Sequence, residues 1–311
     1  MTNAARVQQK TRQEKVREEI EGLLGNRVAG QPFASMRVVA SDPFQDWQID
    51  RLVFTSHDGE EIPGRFLRPP EGSNPVPAIL YCHAHGNNYA VGCEELTEGR
   101  PALTSPYAFD LRQLGCAALC IDMPCFGERQ EQGEGARTKA HLWQGATLFG
   151  QMLAELSAGL TFLANQATID ATRLGVLGFS MGSTHAFWLA AMDERIQAAI
   201  ALCSFADLAT LIEAGDHDGH GIYMMVPGLT EHLPTGTLAG LAAPRALFIG
   251  AGMEDWSTPP DAFAKGRSDL ETAYAATPDA LVFHIEKDKG HVETPAMRAA
   301  ALAFLKDQFF T

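Results

Sequence analysis

The sequence predicts an α/β protein: one doubly wound, mostly parallel sheet with an antiparallel N-terminal hairpin. Three observations predict it. From Val76 onward, short unbroken apolar runs (PAILYCH, CAALCID, LGVLGF, AAIALCS, RALFIGA, LVFHIE) alternate with segments of helical period. Continuous apolar strands separated by helices belong to a parallel sheet covered on both faces. Ahead of them, WQIDRLVFTS and EIPGRFLRP flank HDGE, two β-branched and aromatic runs around an Asp-Gly turn. Finally, the 311 residues contain 46% apolar and 20% charged side chains, the balance of a globular domain able to bury a sizeable core.

Taken in order, residues 4–24 place Val7, Val16, Ile20, Leu23 and Leu24 at helical spacing and stop before Gly25. This apolar stripe is narrow, so the helix reads as an extension (1–25) docking weakly on the body or on a second subunit, which makes a homodimer an expectation. Residues 26–311 then form a single domain. The hairpin supplies two strands and the apolar runs six more. Between and after them, SPYAFDLRQL, HLWQGATLFGQMLAELSAGLTFLANQ, STHAFWLAAM, DAFAKGRSDLETAYAA and TPAMRAAALAFLKDQFF read as helices. Two segments break the alternation: the polar loop 86–102 and the stretch 207–240, an insertion after the sixth strand that is longer than ordinary connections. Both follow strand C-termini, where open α/β sheets bind ligands, so both are expected to wall a pocket.

Lys and Arg number 24 against 38 Asp and Glu, a net charge of −14. That argues against nucleic-acid and anionic-membrane partners, which need a basic face. Apolar stretches fall short of the ~20 residues that span a bilayer, and the polar N-terminus lacks the apolar core of a signal peptide. A cytoplasmic protein is expected. The six cysteines, at 82, 93, 116, 120, 125 and 203, form no CxxC pair and read as reduced, buried thiols. Cys125, just past a strand end, is the one to watch.

The sharpest motif is Gly178-Phe179-Ser180-Met181-Gly182, between the strand LGVLGF and the helix STHAFWLAAM. A serine hydroxyl is a poor nucleophile until it is held exposed beside a general base. A strand-to-helix bend does this, and glycines two before and two after remove side chains that would collide across it. The new helix also aims its free N–H groups at developing negative charge. Such a nucleophile calls for an acid after a later strand and a histidine after the last. RALFIGA runs into Gly252-Met253-Glu254-Asp255, and LVFHIE into KDKGHVETP with His291. His291 would take the Ser180 proton and Asp255 would orient the imidazole. Glu254 is the alternative acid; His284 lies inside its strand and reads as a sheet residue. For an oxyanion, the Met181 N–H is one candidate donor, and the loop His83-Ala84-His85-Gly86-Asn87-Asn88 offers the other. His85 is favoured there, with Asn87 as the fallback.

These residues resemble the α/β-hydrolase superfamily and, within it, the dienelactone-hydrolase-like esterases, from about residue 47 to 309. The resemblance rests on HAHG, IDMPCFGER (Asp122 to Arg129), GFSMG, GHGIYMMVPGL, LAAPRALFIGAGMED and GHVET. It implies an α/β-hydrolase fold and a cofactor-free hydrolase of carboxylic esters. Dienelactone hydrolases proper carry cysteine where this chain has Ser180, which points to a serine carboxylesterase acting on a small to medium ester or lactone. Carbon–carbon bond hydrolysis and acyl transfer are the alternatives on the same scaffold. Two others come from different classes. One is a metal hydrolase using His83, His85 and the ligand-rich Asp216-His217-Asp218-Gly219-His220; the other is a non-catalytic binding protein, which would be expected to lack one of the three residues. The favoured reading assigns no metal. His217, His220 and Tyr223 are candidate substrate contacts in the insertion, and its methionines would repack around varied shapes.

Overall fold

The computed structural model describes residues 3–25 and 28–311, with side chains from residue 11 onward. Among the described residues nine strands form one sheet: β1 (Ser35–Phe44), β2 (Trp47–Thr55), β3 (Glu61–Arg68), β4 (Val76–Cys82), β5 (Ala117–Ile121), β6 (Ile169–Phe179), β7 (Ile196–Leu202), β8 (Ala246–Gly252) and β9 (Leu281–Glu286). Their spatial order is β1-β2-β3-β5-β4-β6-β7-β8-β9. The first three make an antiparallel meander that joins β5 antiparallel, and every pair from β5 to β9 is parallel. The Asp58-Gly59 turn closes the expected hairpin, with Thr55 opposite Glu61. The strand β1 is an addition to it. Exposed along nearly its whole length, it shows no apolar alternation, and its Asp42-Pro43 reads as a turn; hence the insertion follows the seventh strand rather than the sixth.

The helices are α1 (Asn3–Leu24), α2 (Glu95–Glu98), α3 (Tyr107–Leu114), α4 (Glu134–Trp143), α5 (Leu148–Ala164), α6 (Met181–Met192), α7 (Leu208–Ala214), α8 (Leu229–His232), α9 (Thr235–Ala239), α10 (Pro260–Ala273) and α11 (Pro295–Phe310). One expected helix is two. Between α4 and α5 the chain turns by 98°, with Gly145 at φ 75° and Thr147 capping α5 by accepting the Gly150 N–H at 2.9 Å. Left-handed backbone suits glycine, and a threonine cap starts a helix; together they outweigh a helical apolar pattern that runs through the break. Among the described residues no single helix is long and apolar enough to cross a membrane.

The sheet has a core on each face. Leu148, Phe149, Leu153, Leu156 and Leu160 of α5 pack with α6 on one side, and Tyr107 and Leu111 of α3 with Met297 and Ala301 of α11 on the other. Strands β5 and β8 are buried throughout, as a sheet covered twice requires. The described part of α1 docks on its own chain. Ile20 and Leu24 are fully buried in the α5–α6 core, and the Arg17 guanidinium donates to the Ala191 carbonyl at 2.7 Å and the Leu241 carbonyl at 2.9 Å. The Val7 side chain lies outside the described residues. Segment 207–240 is built of α7, two 3-10 turns (Asp216–Gly219 and Ile222–Met224), α8 and α9, held by Asp207, whose carboxylate accepts from the Thr210 and Thr235 N–H groups.

Candidate active site

Strand β6 ends at Phe179 and α6 begins at Met181, so the whole bend falls on Ser180, at φ 59° and ψ −118°. A non-glycine residue rarely adopts that backbone, and such strain persists only where its surroundings enforce it. Here they do. A Cβ on Gly178 would stand 2.1 Å from the Gly182 carbonyl oxygen. The Ser180 N–H is meanwhile tied to the Leu202 carbonyl of β7 at 2.8 Å. The hydroxyl is left at the C-terminal edge of the sheet.

The loop after β9 brings His291 to it. Its Nε2 lies 2.8 Å from Ser180 Oγ, and its Nδ1 lies 2.9 and 3.0 Å from the two carboxylate oxygens of Asp255, in the loop after β8. Asp255 is 2% exposed, whereas Glu254 points to solvent. Buried carboxylates need donors, and Ser257 supplies two: its N–H at 2.8 Å and its hydroxyl at 2.7 Å, both to Asp255 Oδ1. The His291 ring rests between Phe179 and Trp256, with centroids 5.0 and 5.5 Å away. His284 remains in β9, bonded to Glu286 at 3.1 Å.

Met181 is the first residue of α6, where helical N–H groups have no partner within the helix. In the facing loop the Ala84 N–H is committed to the Glu95 carboxylate at 3.0 Å. The Asn87 N–H is committed to His85 Nδ1 at 3.1 Å. The His85 N–H has no such partner among the described residues, and Arg100 fixes the peptide behind it by donating to the His85 and Ala84 carbonyls at 3.0 and 2.7 Å. The imidazole of His85 donates from Nε2 to Glu134 at 2.8 Å. Glu134 also accepts the Tyr89 hydroxyl at 2.7 Å and the Tyr223 N–H at 2.8 Å. Burial pushes the Glu134 carboxyl up, but the hydrogen bonds from His85 and Tyr89 outweigh it and leave it below its ordinary value.

All of this opens on one cavity of about 860 Å³, which Ser180, Met181, His85, His220, Tyr223 and His291 line among others. His217 is exposed and does not line it. His83 and His85 do not converge: His83 is buried, accepts the Met123 N–H at Nε2 (3.1 Å) and donates from Nδ1 to the Ala84 carbonyl. No cluster of three or more His, Cys, Asp or Glu suited to a metal occurs among the described residues. Cys125 faces the cavity, and burial pushes its thiol up to about 11, so it stays protonated at neutral pH. Glu134, Tyr89, Trp256 and Ser257 were not foreseeable. Each matters through what folding brings beside it, and none carries a motif.

The fold and this site define the class: an α/β-hydrolase with a serine at the strand-to-helix bend. The chain belongs to that superfamily's serine esterases and peptidases, matching the FrsA-like esterase family over residues 39–215 and the prolyl oligopeptidase family over residues 148–310. It is a hydrolase of the serine carboxylesterase type. YtaP of Bacillus subtilis (strain 168), named as a hydrolase, is 31% identical over 93% of this chain and 97% of its own length. An acetyl xylan esterase from Paenibacillus sp. R4 superposes with a TM-score of 0.66 at 19% identity, covering 96% of this chain and 93% of that one. A glucuronoyl esterase from Solibacter usitatus does so with a TM-score of 0.67 at 15% identity, covering 94% and 92%. At such identities these two likenesses concern the fold.

Proposed function

We propose that the protein hydrolyses small to medium carboxylic esters or lactones by a two-step acyl-enzyme mechanism, with Ser180 as nucleophile, His291 as general base and acid, and Asp255 as the residue that orients His291. The observation that carries this is the continuous line from Asp255 through His291 to Ser180, with contacts of 2.9 and 2.8 Å. Ser180 Oγ attacks the ester carbonyl while its proton passes to His291 Nε2, and the oxygen becomes an oxyanion held by the Met181 and His85 N–H groups. The tetrahedral species collapses, and the same proton goes from His291 to the leaving alcohol. Water then repeats the sequence on the acyl-enzyme and releases the acid. Asp255 accepts Nδ1–H, which keeps Nε2 free to accept the Ser180 proton.

The name of one structural neighbour, an acetyl xylan esterase, agrees with an ester whose alcohol part is polar, and that of another, a glucuronoyl esterase, with an ester whose acyl part is polar. Intact-mass analysis after fluorophosphonate treatment tests the reading: wild type gains a single adduct and Ser180→Ala gains none. An unlabelled wild type, or an equally labelled mutant, would overturn it.

A further inference from the structure

The loop of His85 rests on a buried ion pair that the reaction as proposed does not call on. Glu95, the first residue of α2, is fully buried, and the Arg100 side chain paired with it is 6% exposed. Burying two charges costs solvation, and apolar residues of similar volume are often as stable. What this pair holds in place therefore matters more than what it adds to stability.

It holds two consecutive peptides in different ways. The Ala84 N–H, on the peptide between His83 and Ala84, donates to both Glu95 oxygens at 3.0 and 3.1 Å, and the Tyr81 hydroxyl donates to the same carboxylate at 2.8 Å. That N–H is engaged by a side chain that does not line the cavity. Arg100 holds the next peptide. Its Nη2 donates to the Ala84 carbonyl at 2.7 Å and its Nη1 to the His85 carbonyl at 3.0 Å, while Nε is bonded to Glu95. The Ala84 carbonyl and the His85 N–H belong to one planar trans peptide, so they point in opposite directions. A guanidinium fixed on the carbonyl therefore aims the N–H, and His85 lines the cavity with Ser180 and Met181. A charged donor on the carbonyl oxygen also draws electron density off the nitrogen, which makes the N–H a stronger donor.

Gly86 is part of the arrangement. Its backbone stands at φ 54°, and a Cβ there would lie 2.4 Å from Arg100 Nη1. A residue without a side chain leaves the guanidinium room against the loop. Nη2 also reaches the Val91 carbonyl at 3.3 Å, so one side chain ties both ends of the turn that follows His85.

We propose that Arg100, fixed by Glu95, is a positioning residue for the reaction: it aims and polarises the His85 N–H toward the oxyanion. This rests on the ester-hydrolase reading above. The experiment measures kcat and KM on p-nitrophenyl acetate, and the inhibition constant of an aliphatic trifluoromethyl ketone, for wild type, Arg100→Gln, Arg100→Lys and Glu95→Gln, with the melting temperature of each. The ketone adds to a nucleophilic serine as a tetrahedral adduct whose oxygen uses the same donors, so it reports on them directly. Arg100→Gln is expected to lose about 10²-fold in kcat, the lower end of what removing an oxyanion donor costs, with KM nearly unchanged. Its ketone inhibition constant should rise by the factor by which kcat/KM falls. Arg100→Lys keeps the charge without the planar fork and should lose only about tenfold, as should Glu95→Gln, which loosens Nε. If Arg100→Gln does not fold, these two variants decide by the same criteria. A variant that melts like wild type yet keeps full kcat, a loss confined to KM, or a kcat loss with unchanged ketone inhibition would overturn the proposal, while fluorophosphonate labelling of wild-type Ser180 left the esterase reading standing. A wild type with neither labelling nor turnover would sink the two together.

Discussion

Gly182 passes so near Cys82 that a Cβ on it would lie 1.9 Å from the Cys82 carbonyl oxygen. The obstacle is backbone at the end of β4, so no side-chain movement can relieve it. Gly182→Ala must push α6 away from β4, and Gly178→Ala must do the same against Gly182 itself. Overpacking a core costs about 1–3 kcal/mol where side chains can adjust, and here they cannot. Both variants are expected to lose soluble, fluorophosphonate-reactive protein. Gly22→Ala in α1, with nothing within 4 Å of its would-be Cβ, is the control and should hold or gain up to about 1 kcal/mol. Wild-type melting and labelling in Gly182→Ala would show that the bend tolerates a side chain.

Asp255→Asn is expected to lower kcat by about 10⁴-fold with little change in melting temperature, because an amide in place of the carboxylate favours the wrong imidazole tautomer. Glu254→Gln, a change on a solvent-facing neighbour, should leave kcat within about twofold if the acid is Asp255. The steady-state comparison of these two variants separates adjacent carboxyl groups that the sequence alone left open.

What could be read in the sequence follows the reach of each signal. Ser180, Asp255 and His291 each sit just past an apolar strand, so strand order alone places them at one sheet edge. Glu254 and Asp255 could be told apart only in the fold, where Asp255 lies 2.9 Å from His291 Nδ1 and Glu254 faces solvent, because adjacent side chains diverge in a turn. Strand β1 was illegible since an edge strand exposed on both faces has no burial pattern to imprint. The break at Gly145 was hidden by apolar residues at helical spacing on both sides of it. Glu134 had no signal: it acts through His85, 49 positions away, and through Tyr223, 89 positions away.

Glu134 ties the loop of His85, the proposed oxyanion donor, to the 207–240 segment, and as a positioning residue it should affect turnover more than binding. Losing an oxyanion donor outright costs about 10²–10³ in kcat; Glu134→Gln, which keeps the shape and weakens the grip on His85, should cost about tenfold in kcat with KM nearly unchanged. The Glu134 carboxyl lies below its ordinary 4.5, so its stabilising contribution is complete above that value and is lost as pH falls through the lower folded one. The variant's deficit should therefore be constant across neutral pH. A loss confined to KM would refute the positioning role.

The buried end of α1 makes Ile20→Ala and Leu24→Ala core truncations rather than surface changes. Each is expected to destabilise the protein by about 2–5 kcal/mol, read as a lower urea midpoint at unchanged slope. If either variant melted like wild type at every concentration, the docking of α1 on its own chain would be wrong.

His185 offers a test of pH dependence on the core. It is fully buried on α6, stacked on Phe149 at 5.4 Å, and neither ring nitrogen has a partner among the described residues. Burial, with the neighbouring His83 adding to it, lowers its pKa from 6.5 to about 3. The unfolded chain therefore binds a proton below pH 6.5 that the folded chain refuses until about pH 3, and stability must fall as pH drops through that window. At about 1.4 kcal/mol per pH unit, one such histidine removes about 2 kcal/mol between pH 6.5 and 5. His83 and His220 are lowered by burial too, so His185→Leu should flatten the slope of unfolding free energy against pH by about one proton without abolishing it. An identical slope in wild type and variant, measured by urea unfolding from pH 7 to 5, would mean that His185 is protonated or solvated in the folded protein.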